Sequence, residues 1–291
     1  MWLKFTKMHG AGNDFVVLDG IAHTYKLKPE RIRKICDRNF GIGCDQLLLV
    51  EPPQDPAVDF NYRIFNADGN EVEHCGNGAR CFAKYVRDRK LCFRNPVRVS
   101  TASGNIEITY HKKNRYSVDM GQPKFRPAQV PIQPTDASTE GFSIDSSELH
   151  DSPMQYQLAT SAGDVSLSAV SMGNPHGVLT VDNTETAPVN TLGKELISHP
   201  DFPQGANIGF MQIISEDEIR LRVHERGVGE TLACGTGACA AVVCGIRAGL
   251  LASSVKVSLP GGELQIDWNG EGHSVILTGP AKTVFHGQIR I

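Results

Sequence analysis

The chain has 291 residues, of which 40% are hydrophobic and 21% are charged, and its formal net charge is −3. This is the composition of a globular protein with a well-buried core, in one large domain or two of ordinary size. Short basic runs without a concentrated patch argue against nucleic-acid binding. The chain also lacks the roughly 20-residue apolar stretch of a membrane span and the apolar core of a secretory signal. We therefore expect a cytoplasmic protein with neither a nucleic-acid nor a membrane partner.

Strand and helix patterns alternate along the chain and predict a mixed structure. Alternating apolar residues predict a first strand over 1–7 and a last strand over 283–291, which could return to the first half. Five prolines within 121–153 indicate an extended linker with an edge strand. The remaining predicted elements are strands at 15–18, 97–100, 106–109, 219–223 and 255–259, and helices at 29–38, 78–90, 190–198 and 237–248.

One pattern occurs twice. Cys75-Gly76-Asn77-Gly78-Ala79 is matched 159 residues later by Cys234-Gly235-Thr236-Gly237-Ala238, and a helical pattern follows each copy. Three further pairs stand at nearly the same offset: Asn13 with Asn174, Gln46 with Asn207, and Asn66 with Glu225. A repeat of this size predicts two homologous halves, 1–120 completed by a C-terminal strand at 280–291, and 121–279. Because the predicted helix at 237–248 is apolar almost all round, we expect one central helix inside a curved sheet in each half.

Eight cysteines are many for such a chain. Without a secretory signal, reduced thiols are the better expectation than a disulfide framework. No C-x-x-C occurs, which argues against a zinc ribbon or a thioredoxin-like centre, and we expect no metal. Apart from Cys75 and Cys234, we expect the cysteines to be small buried hydrophobic residues without chemistry of their own.

The repeated turn suits one kind of chemistry. The first turn of a helix offers unpaired N–H groups and the positive end of its dipole, which together favour a carboxylate and shift a thiol toward thiolate. Two such thiols facing one cleft would supply a base on one face of a carbon and an acid on the other. That is the requirement for inverting a stereocentre next to a carboxylate, and it needs no pyridoxal phosphate or other cofactor.

Further motifs lie on either side of these turns, in a fixed order. They are His9-Gly10-Ala11-Gly12-Asn13-Asp14-Phe15, Asn66-Ala67-Asp68-Gly69-Asn70-Glu71, Gly173-Asn174-Pro175-His176, Glu225-Arg226-Gly227 and Thr278-Gly279-Pro280-Ala281. With the two Cys-led turns, they resemble the diaminopimelate epimerase family over nearly the whole chain. The resemblance implies an α/β (α+β) fold of two pseudo-symmetric domains, each a curved, mostly antiparallel sheet or barrel around a central helix.

The resemblance also implies an isomerase that interconverts LL- and meso-2,6-diaminopimelate in lysine biosynthesis, without a cofactor. It makes Cys75 and Cys234 the acid–base pair, with His176 and Glu225 tuning the thiols and orienting the substrate. A homodimer is implied as well, although Phe285 stands where the family often has a Tyr at the dimer contact. The resemblance implies that Asn13 and Gln46 hold the reacting amino end of the substrate, and that the backbone of Gly76, Asn77, Gly235 and Thr236 holds the reacting carboxylate. It implies that the distal end is read by Asn66, Asn174, Asn207 and Arg226. Glu225 is also an implied substrate-binding residue.

Two alternatives remain at this point. A related racemase acting on proline or hydroxyproline would share the paired cysteines, but its substrate has no distal charged end to satisfy Arg226 and the three asparagines around it. Each buried polar group left unpaired would cost about 1–3 kcal/mol, so this site should reject such a substrate. A carboxylate-binding or thiol-redox protein without enzymatic activity would bind or oxidise without exchanging the substrate's α-proton.

Overall fold

The computed structural model describes residues 2–72, 75–133 and 155–290. The chain folds into two compact units, one formed by Met1–Asp119 with Thr278–Ile291 and the other by Met120–Leu277. Within the described residues there are four α-helices and eighteen strands, so strand predominates. The predicted class, a mixed fold built mainly of sheet, is confirmed.

In the first unit, strands surround one helix. β1 pairs antiparallel with β2 and β18, β2 pairs parallel with β3, and β3 pairs antiparallel with β4. β4 then pairs antiparallel with β5 and parallel with β6, which continues antiparallel through β7 to β8. The elements are β1 (Trp2–Gly10), β2 (Asn13–Asp19), α1 (Pro29–Cys36), β3 (Gln46–Glu51), β4 (Phe60–Asn66), β5 (Glu71–Val72), α2 (Gly76–Asp88), β6 (Val97–Thr101), β7 (Gly104–His111), β8 (Arg115–Asp119) and β18 (Lys282–Arg290).

The α2 helix is the central element of this unit. It contacts β1, β2, β3, β7, β8 and β18, and every residue from Gly76 to Val86 is buried. The opposite face of β2 and β3 is covered by α1, whose Ile32 and Ile35 pack with Val16 and Leu47. Strands buried on both faces are continuous apolar runs rather than alternating ones, which explains 47–50 in the sequence.

The second unit repeats this arrangement. β9, β10 and β11 pair antiparallel in turn, and β11 pairs parallel with β12. β12 pairs antiparallel with β13, which pairs antiparallel with β14 and parallel with β15, and β15 pairs antiparallel with β16. The elements are β9 (Tyr156–Thr160), β10 (Gly163–Ser171), β11 (Pro175–Thr180), α3 (Val189–Ile197), β12 (Asn207–Ser215), β13 (Glu218–Glu225), β14 (Gly229–Thr231), α4 (Gly235–Arg247), β15 (Ser254–Leu259) and β16 (Gly262–Asp267), followed by β17 (Ile276–Pro280) at the boundary of the units.

The same order of pairings therefore occurs twice. A parallel pair leads to an antiparallel pair and a short strand, and then to a 13-residue helix enclosed by its own unit's strands. α4 contacts β10, β11, β12, β13 and β16, as α2 contacts the strands of the first unit. The predicted pseudo-symmetric architecture, with a central helix in each domain, follows from this topology.

Two details differ from the sequence-based expectation. The central helices begin at Gly76 and Gly235, two residues before the predicted starts at 78 and 237. The first part of the predicted linker is packed into the second unit, because Val130 and Ile132 are buried in its core. The rest of that prediction, with Pro134 and Pro153, lies outside the described residues.

Among the residues that the structure describes, no helix is long and apolar enough to cross a membrane. Over the same residues, no three or more His, Cys, Asp or Glu side chains cluster in a way that could hold a metal ion.

Candidate active site

Cys75 and Cys234 occupy the same local position in their two units. Each is the N-cap residue of its unit's central helix and has extended backbone, with φ −138° and ψ 122° at Cys75 and φ −113° and ψ 112° at Cys234. Their carbonyl oxygens accept the first bonds of the helices, from Ala79 N at 2.8 Å and Ala238 N at 3.0 Å. The N–H groups of a helix's first turn favour an anion, and the Gly237 N–H already bonds the Cys234 thiol.

Glycine at the third position of each helix lets neighbouring groups approach closely. A Cβ added at Gly78 would come within 2.7 Å of the Tyr62 hydroxyl. One added at Gly237 would come within 3.0 Å of Val223 and 3.2 Å of the Cys234 sulfur. The glycines therefore leave room for groups packed tightly beside each thiol.

In the first unit, Cys75 lies against a pair of asparagine side chains. Its Sγ is 3.7 Å from Asn13 Oδ1, which also accepts a hydrogen bond from Asn77 Nδ2 at 3.2 Å. Asn77 Oδ1 accepts a bond from Arg80 Nη2 at 2.5 Å, and Asn13 Nδ2 donates to Asp45 Oδ2 at 2.8 Å. Cys75 therefore stands beside a chain of hydrogen bonds that ends in a cation at one side and a carboxylate at the other.

Gln46 and Asn66 form a second contact in this unit. They face each other across β3 and β4, and Gln46 Nε2 donates to Asn66 Oδ1 at 2.8 Å. Gln46 is also the first residue of β3 and pairs with Phe15 of β2, two residues from Asn13. Asn13 and Gln46, predicted for the reacting end, thus lie at the starts of two paired strands, β2 and β3, and Gln46 lies opposite the end of β4, where Asn66 was predicted for the distal end.

In the second unit, Cys234 is buried and has a carboxylate nearby. Its Sγ is 3.6 Å from Thr236 Oγ1. Burial, followed by the neighbouring Glu225 carboxylate, raises the pKa of the Cys234 thiol well above its usual value. Glu225 itself is held by Thr231, whose Oγ1 donates to Glu225 Oε1 at 2.5 Å.

The other predicted polar residues of this unit also lie together. His176 is buried with Nε2 3.1 Å from Asn174 Oδ1, and it pairs with Asn207 across β11 and β12. Burial, with a smaller contribution from Arg226, lowers the pKa of His176 to about 3, so its imidazole is neutral at neutral pH. Asn207 Oδ1 accepts a bond from the Arg226 backbone N at 2.8 Å, and the Arg226 guanidinium donates to the Gln204 carbonyl oxygen at 2.5 Å.

The predicted residues therefore form one group in each unit. The first contains Asn13, Gln46, Asn66, Cys75, Gly76 and Asn77, and the second contains Asn174, His176, Asn207, Glu225, Arg226, Cys234, Gly235 and Thr236. The structure adds residues to which the sequence assigned no role: Asp45, Tyr62, Arg80 and Thr231. Arg80 directly follows the first Cys-led motif, but its contact with Asn77 depends on helix geometry that the motif does not state.

Of the six remaining cysteines, Cys92 was expected to be buried but is only half-buried, and its sulfur accepts a hydrogen bond from Arg94 N at 3.4 Å. The other five are buried and divide into two kinds. Cys81, Cys239 and Cys244 are buried in the central helices, and burial raises the pKa of Cys81 and of Cys244 to about 12. This agrees with their expected role as small buried residues. Cys36 and Cys44, in contrast, lie with their sulfurs 3.4 Å apart, a contact that the sequence did not predict.

Comparison with known proteins identifies the family. The family model described as diaminopimelate epimerase matches residues 5–126 and 168–284. The chain belongs to the diaminopimelate epimerase family. Two curated relatives with that name cover all of this chain over their own full lengths: one from Chromobacterium violaceum is 54% identical and one from Pseudomonas aeruginosa is 52% identical.

A solved structure of a protein with a different name has a similar fold. A hydroxyproline epimerase from Agrobacterium vitis, with trans-4-hydroxy-L-proline bound, superposes with a TM-score of 0.70 at 16% identity, covering 99% of this chain and 92% of its own. At that identity the likeness concerns the fold alone. Within a shared fold, function depends on the side chains that each chain places at the helix ends.

Proposed function

We propose that this chain is a cofactor-independent epimerase that interconverts LL- and meso-2,6-diaminopimelate on the route to lysine. The observation that carries the proposal is the equivalence of Cys75 and Cys234, each the N-cap of the enclosed 13-residue helix of its unit. The named relatives, 52% and 54% identical over the full length, support the substrate.

In the proposed mechanism the two thiols exchange one proton each with the same α-carbon. One cysteine, as thiolate, removes the α-proton, and the other, as thiol, donates its proton to the opposite face. The configuration inverts, one thiolate and one thiol remain, and the reverse reaction exchanges their roles. The N–H groups of Gly76, Asn77, Gly235 and Thr236 would stabilise the charge that develops on the reacting carboxylate.

The polar residues around the thiols would select and orient the substrate. Asn13 and Gln46 would hold the reacting amino end, and Arg226 would pair with the distal carboxylate. His176, which is neutral, and Glu225 would tune the protonation of the thiols and orient the substrate. The remaining distal contacts would come from Asn66, Asn174 and Asn207.

We also propose that the two halves, 1–120 with 280–291 and 121–279, are the functional domains of a cytoplasmic homodimer. Exposed apolar side chains on β1 and β18 support an association surface: Trp2 and Val284 are more than half exposed. Phe285, 47% exposed, packs edge-on against Phe5 with ring centroids 5.8 Å apart. A mass of twice 31.7 kDa by light scattering would support the dimer, and a mass of one chain would contradict it.

Incubation with LL-diaminopimelate in heavy water tests the reaction. Under the two-base mechanism, meso product formed at early times carries one deuterium at the inverted carbon, because the donating thiol has exchanged with solvent. Chiral separation with mass detection measures both isomers. The proposal fails if no meso isomer forms. Trans-4-hydroxy-L-proline, supplied in parallel, should remain unchanged, and its epimerisation would favour the alternative substrate class.

A further inference from the structure

The asparagine pair beside Cys75 has a defined hydrogen-bond direction. An amide side chain can present either its oxygen or its nitrogen to a partner, so its orientation depends on what its neighbours can donate or accept. The Arg80 guanidinium can only donate, which places Asn77 Oδ1 toward it at 2.5 Å. Asn77 Nδ2 is then the group that faces Asn13, and it requires an acceptor there.

Asp45, at the other end of this chain of hydrogen bonds, independently favours the same orientation of the amides. A carboxylate oxygen of Asp45 can only accept, and it receives Asn13 Nδ2 at 2.8 Å. If the Asn13 amide were reversed, its oxygen would face the Asp45 carboxylate and its nitrogen would face the Asn77 nitrogen. Both contacts would be repulsive, so only one orientation satisfies the two ends. In that orientation Asn13 Oδ1 is the atom presented to Cys75 Sγ.

Each end of this chain is itself held in place. Asp45 Oδ1 accepts from Arg38 Nη2 at 2.7 Å, and Arg38 also binds Asp14 at 2.8 Å. Arg80 is completely buried, and a Cβ at Gly10 would come within 3.1 Å of its guanidinium. A cation buried near the N-terminal end of a helix opposes the helix dipole and loses its hydration, so packing alone does not favour it.

We propose that Asp45 is a positioning residue which, with Arg80 at the opposite end, holds Asn13 Oδ1 as the hydrogen-bond acceptor for the Cys75 thiol. This inference rests on the proposed function, in which Cys75 exchanges a proton with the substrate. By accepting from S–H, the Asn13 oxygen favours the protonated sulfur and fixes its direction. Asp45 acts through Asn13 and touches neither the sulfur nor the substrate.

Two substitutions at Asp45 separate positioning from simple charge. Asp45→Ala removes the acceptor for Asn13, whereas Asp45→Asn can still accept through its own amide oxygen. Both remove the same negative charge. We expect kcat to fall about tenfold in Asp45→Ala and about threefold in Asp45→Asn, with KM changed less than about twofold, because misplacement affects the reacting geometry. Glu107→Gln, which breaks the exposed ion pair with Arg98 at 2.9 Å, is the matched control and should retain normal activity.

A substrate-free readout reports on the thiol itself. The rate of Cys75 alkylation by iodoacetamide is followed by mass spectrometry as a function of pH. In Asp45→Ala only Asn77 still holds the Asn13 amide, which should then turn its N–H toward the sulfur in a larger fraction of the molecules. The alkylation midpoint should therefore move to lower pH, and Asp45→Asn should move it less. Equal shifts of the alkylation midpoint in the two variants would show that Asp45 acts only through its charge, and would overturn the positioning role. The absence of a shift in both variants would overturn it as well.

A double-variant cycle completes the test. In an Asn13→Ala background, Asp45→Ala should change the alkylation profile no further, because the group through which it acts is gone. An additional shift of the same size would overturn the proposal. Arg80→Met probes the other end and should shift the profile in the same direction once circular dichroism has established a folded protein. If it does not fold, the Asp45 series alone decides.

These experiments keep the two proposals separate. If the wild-type chain fails to epimerise diaminopimelate, the proposed function is wrong, whatever the alkylation profiles show. If the wild type is active and the Asp45 variants match it in both kcat and alkylation, the function stands and the positioning role is wrong.

Discussion

The α2 and α4 helices begin alike, but the side chains around their cysteines differ. Where the first copy has Arg80, the second has Cys239 at the matching position, and where the first has Asn66, the second has Glu225. Asp45 is matched by Ala206 at an offset of 161 residues, the offset that also relates Asn13 to Asn174. Among the described residues, the charge-anchored asparagine pair stands beside Cys75, and the Glu225 carboxylate stands beside Cys234.

This difference shows that, in a duplicated fold, the backbone and the side chains contribute differently to the two sites. The backbone repeat supplies what both copies share: an enclosed helix, a cysteine at its N-cap and glycine at its third residue. The side chains of each copy then give the two thiols different environments, an amide oxygen at Cys75 and a carboxylate with burial at Cys234. Substitutions in one copy, compared with the matching position in the other, test this division.

The largest effect should come from the cysteines that both copies share. Cys75→Ala and Cys234→Ala should each lower kcat by roughly 10³-fold or more, because inversion requires a proton carrier on both faces of the carbon. Chiral chromatography of the reaction measures the loss. Cys81→Ala and Cys239→Ala, in the same two helices, are the matched controls and should remain active. Near-normal epimerisation by either N-cap variant would remove the two-base mechanism and the functional equivalence of the copies.

The next effect concerns a residue present in one copy only. The position of Arg226 is occupied in the first copy by Ala67, so under the proposed function this position offers a cation to the distal carboxylate in the second unit and not in the first. Arg226→Ala should lower kcat/KM on the order of 30- to 1000-fold, because loss of a charge-assisted contact removes about 2–4 kcal/mol of transition-state stabilisation. Arg220→Ala, an exposed arginine of β13, should have no comparable effect. If the two variants behave alike, the distal end is read elsewhere.

A third substitution tests the electrostatic difference between the thiols. Burial and then Glu225 raise the pKa of Cys234, so replacing the carboxylate by a neutral amide should lower that pKa. In Glu225→Gln, alkylation of Cys234 should therefore reach its midpoint at lower pH than in the wild type. Glu218→Gln, which removes a carboxylate on the same strand that pairs with Lys256 at 2.9 Å, is the control. An unmoved midpoint would show that Glu225 does not contribute to the raised pKa of Cys234.

The smallest effect should be one of stability and should differ between the two glycines. A methyl at Gly78 meets the Tyr62 hydroxyl at 2.7 Å, and that ring is packed against Phe82 with centroids 5.2 Å apart. Gly78→Ala should therefore cost about 1–3 kcal/mol of overpacking, whereas Gly237→Ala, whose nearest contact is 3.0 Å, should cost less than about 1 kcal/mol. Thermal unfolding midpoints compare them. The reverse order would show that the second turn is the more tightly packed.

Much of the fold followed from the sequence because its signals are local and repeated. Apolar runs and alternations located, within a few residues, the four helices and seven of the eighteen strands that the structure describes, and the repeat predicted that the second half would copy the first. The starts of α2 and α4 were placed late because Gly-x-Gly is typical of a turn. In the structure those glycines occupy the first helical turn, where N–H groups have no intrahelical partner and little propensity is lost.

The site was only partly predictable for a different reason. The repeat drew attention to positions where both copies carry a similar polar residue, such as Asn13 and Asn174. Asp45 and Arg80 have no such counterparts, so the repeat is silent about them. Their importance depends on which atom of an amide faces which neighbour, and sequence spacing does not encode that orientation. The contact between Cys36 and Cys44 was not predicted because it depends on how the chain turns between α1 and β3, which a spacing of eight residues does not specify.

The pairing of β1 with β18 also affects the order in which the chain can fold during synthesis. Trp2 pairs with Arg290, and His9 pairs with Lys282, so one edge of the first strand cannot pair until residues 282–290 have left the ribosome. The second unit, by contrast, is a single continuous stretch, Met120–Leu277. Domains usually complete in the order in which they are synthesised. Here the unit that begins first is completed last, and its first strand must keep an unpaired edge while most of the chain is translated.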